Sequence, residues 1–244
     1  MKLRLMICAA AASTALFATE DANSATYAVM NVTNAYTDTV IAVPWVGLDG
    51  TAITISNLVN TTTLTAGDKL YMYNDDGTWY EYTKSAGGVW TGAETITPTG
   101  THSAESQVVQ RGTGLVLQRA ESGAGGTVLL AGRVDSGTIT TTIAANGKTL
   151  FANPTTDAVA ITNKFTGATL GDTITIPLNN GSTDIYTFNG SEWGKTTRVS
   201  YQRKIGNTTR TSYSNVWETC TSSIPAGTGA WYDSKANSDR TISW

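Results

Sequence analysis

Histidine and cysteine are almost absent from this sequence of 244 residues, which holds one histidine and two cysteines. The histidine is His102, and the cysteines are Cys8 and Cys220. They cannot supply the closed set of nitrogen and sulfur ligands that structural zinc requires. His102 stands beside Ser103 and close to Glu105, but no glycine-flanked nucleophile turn surrounds them. The sequence therefore predicts neither a zinc site nor a serine hydrolase.

Charged residues are also few, at 14% of the chain, and they sum to a formal net charge of −3. Nucleic-acid-binding proteins carry a concentrated basic patch, so nucleic acid is excluded as an expected partner. Asp75 and Asp76 could offer oxygen ligands to calcium, but they belong to an Asn-Asp-Asp-Gly sequence typical of a hairpin turn. We expect no metal site and no cofactor.

A glycosidase needs a pair of carboxylates, and the candidates here are Glu81 and Glu192. Glu81 and Glu192 lie at non-equivalent places in the two copies of the repeat described below, and both are more typical of outward-facing strand residues. We therefore predict that the protein is not an enzyme.

Long apolar runs are missing as well, and no segment of the mature chain could cross a membrane as a helix. The run Leu5 to Phe17 is too short to do so, and it has the layout of a secretory signal peptide. The basic residues before it and the small residues after it are Lys2, Arg4, Ala22, Ser24 and Ala25. We expect residues 1–25 to be a signal peptide and the protein to be secreted or at the cell surface. Cys220 is then the sole cysteine left, which excludes an internal disulfide.

From Tyr27 onward the chain consists of short runs of threonine, valine, isoleucine and aromatic residues. Glycine or asparagine interrupts these runs about every eight to twelve residues, a spacing typical of antiparallel strands and turns. No window has convincing helical periodicity. The sequence predicts an all-β fold with little or no helix after the signal peptide.

One pattern of strands and turns occurs twice, first over Leu64 to Trp90 and again over Leu170 to Trp193. The Gly-Asp step that opens the first copy at Gly67 recurs 104 residues later. Extra length in the second copy lies after Trp193, where Arg198 to Arg210 is the most basic part of the chain. Such self-similarity indicates an internal duplication. We predict two tandem, related lobes, either β-sandwich or barrel-like, over residues 26–131 and 132–244.

Three short motifs follow one another in the order of a known group. They are an apolar Ala-Val-Pro strand at Ala42 to Trp45, a Gly-Asp hairpin at Gly67 to Tyr73 with Trp90 after it, and a Gly-x-Gly-aromatic strand at Ile224 to Tyr232. With these motifs the chain resembles a group of uncharacterised, Thr-rich bacterial exported proteins with duplicated β lobes. The resemblance implies an exported location and this architecture, and it implies no activity and no site.

Aromatic residues near the hairpins are the one feature that suggests a ligand. Four of them are candidates for stacking on the sugar rings of an extracellular glycan, namely Tyr73, Tyr80, Trp90 and Trp193. The alternative is that they fill the core or form cross-strand pairs that stabilise the sheets.

Three classes of function follow from the sequence. The first is a non-enzymatic exported structural protein that associates with itself or with other surface proteins. The second is a carbohydrate-binding module that uses the hairpin aromatic residues. The third is an outer-membrane barrel, suggested by the terminal Trp244; the short, loop-rich strands and Arg240 count against it.

Overall fold

The computed structural model describes residues 5–10, 13–18, 27–34, 38–43, 46, 51–58, 64–73, 78–94, 103, 107–120, 126–133, 137–177, 182–205 and 208–244. Within these ranges the protein is all-β, as the sequence predicts. The strands are β1 Leu5–Ala10, β2 Ser13–Ala18, β3 Tyr27–Asn34, β4 Asp38–Ala42, β5 Lys69–Tyr73, β6 Trp79–Lys84, β7 Trp90–Glu94, β8 Gly114–Gln118, β9 Gly126–Arg133, β10 Thr140–Ile143, β11 Lys148–Ala152, β12 Val159–Ala160, β13 Thr173–Pro177, β14 Thr183–Phe188, β15 Trp193–Ile205, β16 Thr208–Thr219, β17 Ser223–Ile224, β18 Gly229–Asp233 and β19 Arg240–Ser243. The two helices, α1 Ile55–Leu58 and α2 Ile161–Lys164, have one turn each.

The first large sheet has five antiparallel strands in the order β4-β8-β5-β6-β7. Strand β5 alternates as the sequence predicts, because successive side chains of a strand point to opposite faces. Leu70 and Met72 are buried on the core face, whereas Tyr71 and Tyr73 are partly exposed on the outer face. Helix α1 adds Ile55 to the same core.

The second large sheet has six antiparallel strands in the order β11-β18-β13-β14-β15-β16. Its core contains aromatic rings in edge-on or tilted contact, with Phe165 between Phe151, Trp193 and Tyr232 at centroid distances of 5.2 to 6.3 Å. Rings arranged in this way add about 0.5–1.5 kcal/mol per pair to the free energy of burial. Cys220 is part of this core, and burial raises the pKa of its thiol.

The two large sheets have the same strand order over five strands. Strands β4, β8, β5, β6 and β7 of the first correspond in sequence to β11, β18, β13, β14 and β15 of the second, and β16 has no counterpart within the described part of the first sheet. Both sheets are open, with two edges each, among the described residues. The common order supports the predicted internal duplication, which stays a prediction.

The remaining strands form three small sheets. Strand β10 pairs with β19, and β12 pairs with β17. Strands β1, β2, β3 and β9 form a four-stranded sheet in which β2 lies between β1 and β3. Strands β1 and β2 fall inside the segment that we expect to be cleaved, and their removal would leave β3 paired with β9 alone. None of the described helices is long and apolar enough to span a membrane.

The two sheets contact each other through a reciprocal pair of hydrogen bonds. The backbone N–H of Ala42 at the end of β4 donates to the carbonyl of Gly227 at 2.9 Å. The N–H of Ala152 at the end of β11 donates to the carbonyl of Gly112 at 3.0 Å. Each sheet therefore satisfies backbone groups at the end of the other sheet's edge strand.

Close backbone approach at this contact requires glycine in β8 and β18. A Cβ atom on Gly229 would lie 2.6 Å from Val40 Cγ1 of the first sheet and 2.3 Å from the carbonyl oxygen of Phe151 in the neighbouring strand β11. A Cβ atom on Gly114 would lie 2.8 Å from Leu150 Cγ. Val40 and Leu150 are both buried, so apolar packing accompanies the backbone hydrogen bonds between the two sheets.

Candidate functional site

The four aromatic residues proposed from the sequence for glycan binding differ in burial. Trp90 and Trp193 are buried, with exposed fractions of 5% and 2%. The Trp193 indole N–H donates to the Phe165 carbonyl at 3.1 Å, deep in the second core. A buried ring cannot offer its face to a sugar, so these two residues are core residues. Tyr80 is partly buried and packs against the first core, whereas Tyr73 lies on the outer face.

Tyr73 belongs instead to a cluster that joins the two sheets. Its ring centroid lies 5.0 Å from that of Trp79 and 5.1 Å from that of Trp231, and the two tryptophan centroids are 5.5 Å apart. All three contacts are edge-on, and all three residues are partly exposed. We call Tyr73, Trp79 and Trp231 the aromatic cluster.

The aromatic cluster forms one wall of a pocket of about 460 Å³. The other wall is polar and comes from strands β11, β13 and β18, with the side chains of Lys148, Thr173, Thr175 and Asp233. These residues face the same side because Asp233 is the register partner of both Lys148 and Thr173, and Trp231 is the partner of Thr175. The pocket therefore combines aromatic rings with a carboxylate, an ammonium group and two hydroxyl groups.

Few of the polar groups in this wall form hydrogen bonds within the described chain. One oxygen of Asp233, Oδ1, accepts a bond from Lys235 Nζ at 2.6 Å. Among the described residues, no protein group bonds to the Lys148 ammonium or to the Thr173 and Thr175 hydroxyls. The wall thus presents donors and acceptors to whatever enters the pocket.

Two buried aspartates stabilise the turns that open the repeated hairpins. Asp172 has no exposed surface, and its carboxylate accepts bonds from Thr169 N at 2.7 Å, Lys235 N at 2.6 Å, Tyr232 Oη at 2.6 Å and Arg240 Nη2 at 2.6 Å. Burial disfavours the charged carboxylate, but these bonds outweigh burial and lower the pKa of Asp172. Burial raises the pKa of the Tyr232 hydroxyl, so it remains a donor.

The first sheet has an equivalent arrangement around Asp68. This buried carboxylate accepts bonds from Thr65 N at 2.8 Å and Ala120 N at 2.8 Å, and Arg119 Nε lies 3.1 Å from it. Gly67 just before it has a φ of 90°, and the glycine before Asp172 has a φ of 88°. We interpret both aspartates as structural groups, because neither carboxylate is accessible to a ligand.

Strands β15 and β16 form a long hairpin that extends beyond the second sheet. They pair over twelve positions, from Gly194 with Thr219 to Ile205 with Thr208. Within the described chain β14 meets β15 at only two positions, so most of the hairpin has no third strand. We call residues 195–205 and 208–218 the arm. At a rise of about 3.3 Å per residue the arm is roughly 33 Å long.

The arm is exposed and basic. It carries five basic residues and one acidic residue, so its formal charge is +4, whereas the chain as a whole has −3 and the rest therefore has −7. Arg203 and Arg210 are register partners near the tip, and Arg198 lies over the ring of Tyr213 at 4.1 Å. Tyr213 and Tyr201 have exposed fractions of 58% and 49%.

The sequence also offered candidates for catalysis and for calcium binding. His102, Glu105, Asp75 and Asp76 lie outside the described residues. Among the residues that are described, no group of three or more histidine, cysteine, aspartate or glutamate side chains could hold a metal ion.

The two candidate glutamates have separate structural contacts. Glu81 pairs with Lys69 at 2.8 Å, and hydrogen bonds from Lys69 and Tyr71 outweigh its partial burial and lower its pKa. Glu192 accepts a bond from the Trp217 indole at 2.9 Å, which anchors the base of the arm. The two lie in different sheets, on β6 and just before β15, and each is already engaged by protein donors.

Comparisons with known proteins found no similar protein. No family model matches the chain, and neither a curated protein nor a solved structure is significantly similar to it. The resemblance to Thr-rich bacterial exported proteins therefore stays a prediction.

Proposed function

We propose that the protein is a non-enzymatic, exported structural protein that self-associates at the cell surface or in the extracellular space, and that the arm makes the contact between copies. The observation that carries this proposal is the arm itself. It is a two-stranded ribbon with exposed residues on both faces, and among the described residues no third strand pairs with it over most of its length.

The geometry of the arm argues for a partner. An isolated two-stranded hairpin is marginally stable in water, and an unpaired edge strand invites pairing with another chain. Like charges that stand directly opposite, as Arg203 and Arg210 do, destabilise a strand pair. A negatively charged surface against the tip would remove that repulsion.

The charge distribution supports a second copy of the chain as that partner. An arm of +4 on a body of −7 is complementary to the body of another copy, so a head-to-tail contact is attractive. A contact in which different surfaces of each copy meet produces rings or open filaments. Exposed Tyr201 and Tyr213 supply apolar area for it.

The test is light scattering during size-exclusion chromatography of the chain secreted by an expressing bacterial host, over a wide range of concentrations. The intact mass of the secreted chain shows in the same preparation whether residues 1–25 are removed. We expect assemblies that grow with concentration at about 0.05 M salt and dissociate at about 0.5 M salt, because salt screens exposed charges.

The decisive variant reverses two charges at the tip, Arg203→Glu with Arg210→Glu, and we expect a monomer. The matched control, Lys148→Glu with Lys235→Glu, makes the same change in net charge on the body. It should keep or strengthen the assembly, because it increases the opposite charge that the arm meets. A wild-type chain that stays monomeric, or a tip variant that assembles like the wild type, would refute the proposal.

A further inference from the structure

We propose that the pocket beside the aromatic cluster is a binding site for a saccharide chain. This site is distinct from the four residues that the sequence suggested, since it shares only Tyr73 with them, and it does not depend on the arm. Tyr73 and Trp79 come from the first sheet and Trp231 from the second, so the site exists only where the two sheets meet.

The chemistry of the walls fits a sugar. A sugar ring has an apolar face of C–H groups that packs on an aromatic ring and a rim of hydroxyls that need hydrogen-bond partners. The rings of the aromatic cluster can pack against the apolar face of the sugar. Asp233, Lys148, Thr173 and Thr175 supply acceptors and donors for its hydroxyls, and within the described chain no protein group satisfies the Lys148 ammonium or the two threonine hydroxyls.

The spacing of the rings argues against a cage for a cationic ligand. An aromatic cage surrounds an ammonium group that lies within about 6 Å of every ring centroid, with the cation between the rings. Here the centroids are 5.0 to 5.5 Å apart in direct edge-on contact, which leaves no space between the rings. The ammonium of Lys148 on the opposite wall would also repel a cation. The cluster therefore offers its outer surface, as a stacking platform does.

The size of the site fits more than one sugar ring. The pocket of about 460 Å³ is within the usual range for small-ligand sites, which is about 300–1,000 Å³. A second pocket of about 210 Å³ is also lined by Tyr73, with Arg111, Thr140 and Thr142 in its wall. Since Tyr73 borders both pockets, an oligosaccharide could continue from one to the other.

The test is native gel electrophoresis of the full secreted chain in gels that contain laminarin, hydroxyethylcellulose, xylan, galactomannan or dextran. We expect at least one of these polysaccharides to retard the chain. Titration of that polysaccharide, followed by tryptophan fluorescence, should give a saturable change. Each gel also carries the Arg203→Glu/Arg210→Glu variant, so that self-association and saccharide binding are separated.

Two variants place the binding in the pocket. Trp231→Ala should raise the Kd at least about tenfold, because it removes one stacking surface. Lys148→Ala changes an exposed side chain without disturbing the cluster, and it should raise the Kd by about three- to tenfold. Tyr213→Ala removes an exposed ring from the arm, outside the pocket, and should leave the Kd unchanged. The proposal is overturned if no polysaccharide in the panel retards the chain, or if both pocket variants bind like the wild type.

Discussion

The buried carboxylate of Asp172 is the strongest single test of how the second sheet is stabilised. Asp172→Asn keeps the shape of the side chain but removes its charge, and it places an amide N–H₂ among groups that already donate. Those donors are the Thr169 and Lys235 backbone N–H groups, the Tyr232 hydroxyl and Arg240 Nη2, all between 2.6 and 2.7 Å from the carboxylate. The variant therefore removes an acceptor from these donors and leaves the Arg240 guanidinium without its charged partner.

The expected loss is large because Asp172 has no exposed surface. Removal of one partner from a buried ion pair costs about 3–5 kcal/mol. Arg240 keeps 22% of its side chain exposed, and water can compensate part of its lost partner, so we expect a value near the lower end, about 3 kcal/mol. The measurement is urea unfolding followed by tryptophan fluorescence, with the free energy of unfolding compared at neutral pH.

The pH dependence gives an independent check. The folded-state pKa of Asp172 is lowered, so its stabilisation is present above the unfolded-state value of about 3.9 and is lost as the pH falls through the lower folded-state value. The difference in stability between wild type and Asp172→Asn should thus be constant from about pH 5 to 7 and shrink below about pH 4.

The matched control is Asp184→Asn. Asp184 pairs with Lys195 at 3.0 Å, but the two side chains are 32% and 37% exposed, so this pair should contribute less than about 1 kcal/mol. Our reasoning about the buried carboxylate fails if Asp172→Asn costs no more than this control, or if its effect is the same at pH 3 as at pH 7.

Two further predictions concern packing and can be measured by the same unfolding experiment. Gly229→Ala should cost about 1–3 kcal/mol, because its Cβ would lie 2.3 Å from the Phe151 carbonyl oxygen, whereas Gly167→Ala, with no atom within 4 Å of a Cβ, should not destabilise. Equal effects of the two glycine variants would contradict the close packing of strand β11 against Gly229. Tyr186→Phe should cost about 1 kcal/mol because it removes a hydroxyl that bonds to a serine side chain. Tyr82→Phe should be neutral or stabilising, because its buried hydroxyl has no hydrogen-bond partner in the described chain, and a loss equal to that of Tyr186→Phe would contradict this.

The strand pattern could be predicted from the sequence because it depends on local alternation. Leu70 and Met72 share one face of β5, as alternation requires, and the structure shows that this face is buried; Ile174 and Ile176 at the matching positions of β13 are buried too. The sequence also singled out the Gly-Asp step at Gly67 but not its reason. That reason is a left-handed backbone at the glycine followed by a carboxylate that accepts backbone N–H groups from a distant strand, and such a bond leaves no local pattern.

The aromatic cluster was missed because an aromatic residue is equally suited to a core and to a surface. Alternation shows which residues share a face of a strand, but it does not show which face is buried. The sequence nevertheless indicates which face these tryptophans share. Trp79 is two positions before Glu81 and Trp231 is two positions before Asp233, so each tryptophan lies on the same face of its strand as a charged residue. A charged residue at that spacing marks the outer face. The contact between the two tryptophans, which are 152 residues apart, depends on how the sheets pack and could not be predicted.

Two features, the arm and Trp231, occur in only one of the two sheets, and the stability of the fold does not explain them. The turn aspartates, the buried tryptophans and the reciprocal contact at Gly112 and Gly227 occur in both sheets, and each stabilises the fold. Among the described residues the arm has no counterpart beside β7, and Trp231 stands where the first sheet has Val116. Both features expose apolar surface, and the arm also places like charges together, which costs stability. We expect such a loss of stability where a surface has been selected for binding. Because the loss is confined to one of two matched sheets, the arm and the pocket beside the aromatic cluster are the places to test.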